Sequence, residues 1–314
     1  MKKSLIALAV LGLSGAAMAQ SSVTLYGVAD AGIGKIEHGN GTLNDGSDKV
    51  EFLSASRMNN GNSRLGVRGV EDLGGGLRAG FQFETGLDLD EGSVQGSGGG
   101  YWGRHAFMWL GGNWGTVKLG RTLNPTFYSV AAWELTGMAN YTIANAYGWG
   151  AGGPRNSSQF AYKTPTFFGG LTAEVGYITK HDNADKAKWD MNVIYSSGPL
   201  VASVGVNKTK DQKTHYVVGG RYDFGMFRIA GGYAQASQGD LYRRGFMLGG
   251  TMTFGAASLT LDFSRDTKNQ WSGEKYTNGL IEGKYALSKR TFVYAVYHRY
   301  DDTDNYGLGI RHNF

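Results

Sequence analysis

Apolar and polar residues alternate along most of the chain, and the helical period is scarce. Leu77, Ala79, Phe81 and Phe83 are interleaved with Arg78, Gly80, Gln82 and Glu84. Leu171, Ala173, Val175 and Tyr177 alternate with Thr172, Glu174 and Gly176, and Trp189, Met191, Val193 and Tyr195 with Asp190 and Asn192. Leu259, Leu261 and Phe263 alternate with Thr260, Asp262 and Ser264. A period of two sends successive side chains to opposite faces of a strand, so each segment has one apolar and one polar face.

The connections come in two sizes. Tight turns fall at 72–76, 111–115, 165–170, 197–199, 223–225, 255–257 and 287–290, rich in the residues that accept turn geometry. Longer polar stretches fall at 35–62, 88–100, 122–153, 180–188, 207–213, 237–240, 266–275 and 301–304. Seven tight turns join fourteen strands; one more begins near Ser22 and one ends at Phe314, which makes sixteen. An even number of antiparallel strands, with short turns at one end and long loops at the other, predicts an all-β transmembrane barrel of 16 antiparallel strands. A soluble β-sandwich also alternates, but it uses about seven to nine strands around one core. A sheet this wide protects its edges by closing, and closure leaves a water-filled channel.

Composition sharpens this picture. The 314 residues include 51 Gly without a triplet period, 4 Pro and no Cys, and 13% are aromatic, which excludes collagen and disorder. Without Cys there is no disulfide framework, thiolate nucleophile or Cys-based metal site. Beyond residue 20 nothing approaches the ~20 apolar residues of a membrane helix. The mean hydropathy of −0.30 is no argument against a membrane, because lumen-facing and lipid-facing positions of a barrel average out.

Residues 1–19 stand apart. Lys2 and Lys3 precede an apolar run from Leu5 to Leu13, and Ala17-Met18-Ala19 offers a small-residue exit, the pattern of a cleaved signal peptide. The barrel would then comprise 20–314, and loss of the two lysines takes the formal net charge from +5 to +3.

No phosphate-binding, zinc-protease, nucleophile-elbow or dinucleotide motif occurs, and the six His are scattered. Gly74-Gly75-Gly76 precedes a strand and so lacks the helix of a phosphate cradle. The chain reads as no enzyme, with no metal, no cofactor and no nucleic acid to bind. Asp301, Asp302 and Asp304 suit either a divalent cation or a solvated loop, and the long loops also suit an adhesin or receptor. Trp102, Trp109, Trp189 and Trp271 are candidates for interfacial girdles.

From Ser63 to Glu84 the chain reads SRLGVRGVEDLGGGLRAGFQFE. This resembles the trimeric Gram-negative general (diffusion) porins of beta-proteobacterial type, as do Ser22 to Gly27, Leu119-Gly120-Arg121 and Gly309 to Phe314. The resemblance implies a homotrimer in the outer membrane, surrounded by lipid and lipopolysaccharide, that passes small hydrophilic solutes by diffusion. It also implies that the long third loop, 122–153, folds into the lumen against a wall of arginines. Phe314, on one strand face with Tyr306, Leu308 and Ile310, resembles the signal read by the outer-membrane barrel assembly machinery; His312 on that face is a departure.

Arg64, Arg104 and Arg155 match the arginine wall of that family. Arg64 and Arg68 have the parity opposite to Leu65 and Val67, which turns both inward, as it does Arg78, Gln82 and Glu84 on the next strand. The residues around Arg104 do not fix its parity, and the resemblance alone puts it in the lumen. By spacing, all three arginines also suit strand ends that snorkel to an interface. Where relatives carry two or more loop carboxylates, residues 122–153 hold one, Glu134, and no Lys or Arg. The expected constriction is therefore Arg64, Arg68, Arg104 and Arg155 facing Glu134, with excess positive potential and a preference for small anions.

Overall fold

The computed structural model describes residues 22–38, 47–95, 100–148 and 153–314; the predicted signal peptide and its cleavage site lie outside the described residues. The strands are β1 (Ser22–Lys35), β2 (Val50–Ser54), β3 (Arg64–Gly74), β4 (Leu77–Leu87), β5 (Val94–Gln95), β6 (His105–Gly112), β7 (Gly115–Leu123), β8 (Arg155–Lys163) and β9 (Leu171–Ile178). There follow β10 (Lys188–Ser197), β11 (Leu200–Thr209), β12 (His215–Asp223), β13 (Phe227–Gln238), β14 (Leu241–Phe254), β15 (Ala257–Asn269), β16 (Thr277–Ala286), β17 (Thr291–Tyr300) and β18 (Thr303–Asn313).

All eighteen belong to one antiparallel sheet that closes where β1 pairs with β18. Two are not barrel staves of their own. β2 lies beside the upper half of β1 while β3 lies beside its lower half, and β5 extends the line of β6 along β4. Sixteen staves remain, each hydrogen-bonded to a neighbour on both sides, so that the sheet has no open edge in lipid. Exposed Leu25, Met191, Leu248, Leu261, Ile281 and Leu308 lie on one parity of their strands and form the outer apolar face.

The seven tight turns fall where turn chemistry places them. One of them joins β3 to β4, where Gly74, Gly75 and Gly76 all take positive φ, conformations open to glycine at no steric cost. The Asp72 carboxylate accepts the Gly74 N–H at 2.9 Å and closes that turn. The closing seam ends on Phe314, whose N–H and C=O pair with Gly27 at 3.1 and 3.0 Å while its ring covers the bare face of that glycine.

One connection differs from the sequence pattern. Residues 35–62 read as a single polar loop, yet β2 returns to pair with β1 and 55–63 then turn toward the barrel interior. Leu53 and Met58 are buried, and the Asn59 amide donates to Asp30 at 3.1 Å and to the Leu53 carbonyl at 3.1 Å. The Asp30 carboxylate also accepts the Gly61 N–H and the Tyr294 hydroxyl. One buried acid thus fixes the excursion.

The buried apolar cluster is built by residues 122–148 against one side of the barrel. A short helix, Pro125–Ala131, is capped by Asn124, whose side chain accepts the Phe127 N–H at 2.7 Å. It is tied to the polar faces of β10 and β11: Thr126 donates to Asp190 at 2.6 Å, Asn192 to the Pro125 carbonyl at 2.7 Å and Ser203 to the Ser129 carbonyl at 2.6 Å. Trp133 lies flat on Gly219 and Gly232, a register pair on β12 and β13, where a Cβ would come within 2.3 and 2.8 Å of ring carbons. Gly205 and Gly245 make room in the same way for Ser129 and Tyr147.

Trp189 and Trp102 face outward, as an interfacial girdle requires. Trp109 and Trp271 do not. Trp109 shares the inward parity of His105 and packs over Gly80, and Trp271 packs against the inner cluster.

Candidate functional site

A row of paired positions crosses the wall from β1 to β6: Tyr26, Gly66, Glu84 and His105. Gly66 has no side chain, so the Tyr26 ring lies across it and the phenol donates to the Glu84 carboxylate at 2.9 Å. Gln82 donates to the same phenol oxygen at 2.6 Å. Glu84 is almost completely buried and takes the Arg104 guanidinium at 2.7 Å, with Arg64 at 3.7 Å.

Arg64 opens β3 on its inward parity. Arg104 has the parity of Met108 and Leu110, which face lipid, yet its side chain turns inward. The reason is local: Arg104 sits in a bend just ahead of β6, outside the alternation, with its N–H on the Glu84 carbonyl at 3.1 Å. Arg155 opens β8 and donates to the Arg104 carbonyl at 2.9 Å. The three arginines line one cavity of about 540 Å³.

Two further arginines line that cavity, Arg311 of β18 and Arg57 of the inward excursion. Arg311 donates to the Asn60 side chain at 2.9 Å, and Arg57 to the Glu37 carbonyl at 3.0 Å. Arg311 was legible in the sequence, since it alternates with Ile310 and Leu308 and must face the other way. Arg57 carried no local signal. Across the cavity stand residues 137–145, presenting Asn140, Thr142 and Asn145. Asn140 donates to the Asn62 side chain at 2.6 Å and to the Ser56 carbonyl at 2.8 Å, which ties this segment to the excursion.

Arg68 and Glu134 do not line this cavity, contrary to the sequence expectation. Arg68 does share Arg64's parity, but four strand residues separate them, about 13 Å at ~3.3 Å each. It lies exposed over the Tyr26 ring, toward the tight-turn end. Arg78 and Gln82 share the parity of Glu84, Arg78 nearest the tight turn. Glu134 is buried in its own loop, where its carboxylate accepts both the N–H and the hydroxyl of Thr136 at 3.0 and 2.7 Å, the Met138 N–H and the Thr142 hydroxyl. The nearby backbone donors capture the acid before it can face the arginines.

Charge at the cavity is one-sided: among the described residues it is lined by five arginines and one carboxylate, Glu84. Behind residues 137–145, Tyr141 donates to Glu282 at 2.6 Å. Burial, with the Glu282 charge, holds the Tyr141 phenol above its ordinary pKa, so it remains a neutral donor. Among the described residues no group of His, Asp or Glu is arranged to hold a metal ion. The cavity offers guanidinium and amide donors to an anion in water.

The Gram-negative porin family matches residues 4–305 of the chain. The chain is similar to outer membrane porin protein 32 of Delftia acidovorans, 33% identical over 99% of this chain and 93% of that one. It is also similar to an outer membrane porin protein of Bordetella pertussis, 33% identical over 88% of this chain and 72% of that one. Among solved structures, the anion-selective porin from Comamonas acidovorans superposes with a TM-score of 0.77 at 26% identity, over 94% of this chain and all of that one. The trimer form of OmpT from Vibrio cholerae shares the fold, with a TM-score of 0.68 at 16% identity over 94% of this chain and 99% of that one.

Proposed function

This chain belongs to the Gram-negative porin family, and we propose that it is an outer-membrane channel through which small hydrophilic solutes diffuse, anions preferentially, past a constriction formed by Arg57, Arg64, Arg104, Arg155 and Arg311. The observation that carries this reading is the ratio of five guanidiniums to one carboxylate in a cavity between the barrel wall and residues 137–145. A passage lined by one sign of charge within low-dielectric walls concentrates the opposite ion. The third loop narrows the channel, and its polar amides bind no ion tightly enough to hold it. Stepwise conductance in planar bilayers is the test; protein that inserts without steps would remove the channel reading.

In this reading three copies form a homotrimer through the outer face around β1, where Ala29 and Ala31 keep the surface small and close packing gains dispersion contacts. A monomer by light scattering in mild detergent would refute that assembly. The C-terminal Phe314 is the signal for the barrel assembly machinery and the last residue of the closing seam. Its deletion removes both backbone bonds to Gly27, and the truncated chain is expected to reach the outer membrane in greatly reduced amount on heat-modifiability gels. Undiminished assembly would leave Phe314 without that role.

A further inference from the structure

Arg121 of β7 has the parity of exposed Leu119 and stands opposite Ala106 of β6. A strand residue on that parity starts from the outer face of the barrel. An interfacial arginine ordinarily extends toward water or headgroups. This one bridges both neighbouring staves instead. Its Nε donates to the Gly103 carbonyl, just ahead of β6, at 2.6 Å, and its Nη1 donates to the Ser157 hydroxyl of β8 at 2.6 Å.

The acceptor on β8 is delivered by a β-bulge. Gly120 pairs with Gln159 and Thr122 with Asn156, so Ser157 and Ser158 together oppose Arg121 alone. Ser158 takes a φ of 49°, in the left-handed region that a residue with a Cβ enters at a cost. The extra residue reverses the alternation. Asn156 and Gln159 are both buried on the lumen side, and Asn156 donates to Gln159 at 2.6 Å. Bulges of this kind re-aim side chains beside functional sites.

Arg155 spans the same staves from the lumen, through its bond to the Arg104 carbonyl at 2.9 Å. Gly103 precedes Arg104, and Ser157 lies two residues beyond Arg155. The side chains of Arg121 and Arg155 therefore tie one pair of segments together from opposite faces. Arg104 needs such support, because it sits in a bend outside the strand ladder and carries the same charge as Arg155. We propose that Arg121 is a positioning residue of the constriction: it fixes the segment ahead of β6 against β8, and thereby the spacing of Arg104, Arg155 and Glu84. The inference rests on the anion-channel reading above. The geometry of a site depends on the hydrogen bonds behind the residues that line it. A planar fork reaches two acceptors in fixed directions, which an ammonium does not.

The test compares full-length variants with wild type by reversal potential in planar bilayers across a dilute salt gradient. Neither Arg121 nor Ser157 lines the cavity. Arg121→Leu should lower the anion-to-cation permeability ratio roughly twofold, by displacing two of the focusing charges. Arg121→Lys should lower it too, although the charge is kept, because the fork is lost. Ser157→Ala removes one arm of the bridge with no change of charge and should shift the ratio the same way. Ser157→Thr, which returns the hydroxyl, should recover the wild-type ratio. All four should still give the heat-modifiable barrel, since the β6–β7–β8 backbone ladder does not use these side chains. Wild-type selectivity in both Arg121→Lys and Ser157→Ala, whatever Arg121→Leu does, would make Arg121 a distant charge and overturn the proposal. So would dissociation of subunits in Arg121→Leu with the ratio of Ser157→Ala unchanged, which would make the arginine a subunit contact. Wild-type protein that gives no conductance steps, or prefers cations, would instead remove the channel reading itself and this inference with it.

Discussion

In dilute salt, a bilayer holding this channel across a concentration gradient is expected to develop a reversal potential of the sign set by the more permeant anion. Arg64, Arg104, Arg155, Arg311 and Arg57 converge on one cavity where Glu84 is the one carboxylate among the described residues, so the local potential is positive. The preference should fade as salt rises, because the Debye length falls from ~10 Å at 0.1 M to ~3 Å at 1 M. Replacing Arg64 and Arg155 together by Gln should lower the anion-to-cation permeability ratio severalfold, roughly threefold to tenfold, as two of five focusing charges are lost. Arg311→Gln should act in the same direction. Arg68→Gln serves as an internal control, for it sits about 13 Å along the strand from Arg64 and should change selectivity much less. Cation preference in the wild-type channel would overturn the charge assignment. An Arg68 variant as impaired as the Arg64 and Arg155 pair would move the constriction toward the tight-turn end.

The same residues show how much was legible beforehand. Strand parity alone put Arg64 and Glu84 inward and Leu65 and Val67 outward, because a pleated strand leaves a side chain only two directions. Parity fails at Arg104, where a bend precedes the strand and frees the side chain from the alternation. It was sufficient for Arg311, which alternates with Ile310 and Leu308, two residues placed on one strand face with Phe314. Arg57 was beyond reach, since its place depends on Asp30 holding the 55–63 excursion through bonds to Asn59 and Gly61, 29 and 31 residues along the chain. Glu134 was misjudged for a physical reason visible only in three dimensions. A carboxylate in a loop rich in free N–H groups bonds to its own backbone when burial makes that bond strong. The turns, the strand count and the closure at Phe314 needed only local chemistry, and they were readable.

Trp133→Ala should release the third loop from the wall and give a wider, noisier channel. The indole is 3% exposed and rests on Gly219 and Gly232, so its truncation is expected to cost about 3–5 kcal/mol of packing, the usual range for a buried Trp. That loss falls on the loop and leaves the barrel alone, because the β12–β13 backbone ladder does not pass through Trp133. Barrel unfolding on heating should therefore shift little, while single-channel conductance rises and anion preference drops, as residues 137–145 no longer hold solutes against the arginines. The floor can be raised instead of removing the ring. Gly219→Ala and Gly232→Ala introduce a Cβ 2.3 and 2.8 Å from ring carbons, closer than any real contact, so the rigid indole must move off the wall. These two variants change no charge and no pore-lining residue, and they should reproduce the Trp133→Ala conductance in direction. If all three channels conduct and select like wild type, the loop is held by its hydrogen bonds to Asp190, Asn192 and Ser203 alone, and the glycine floor has no part in setting the pore.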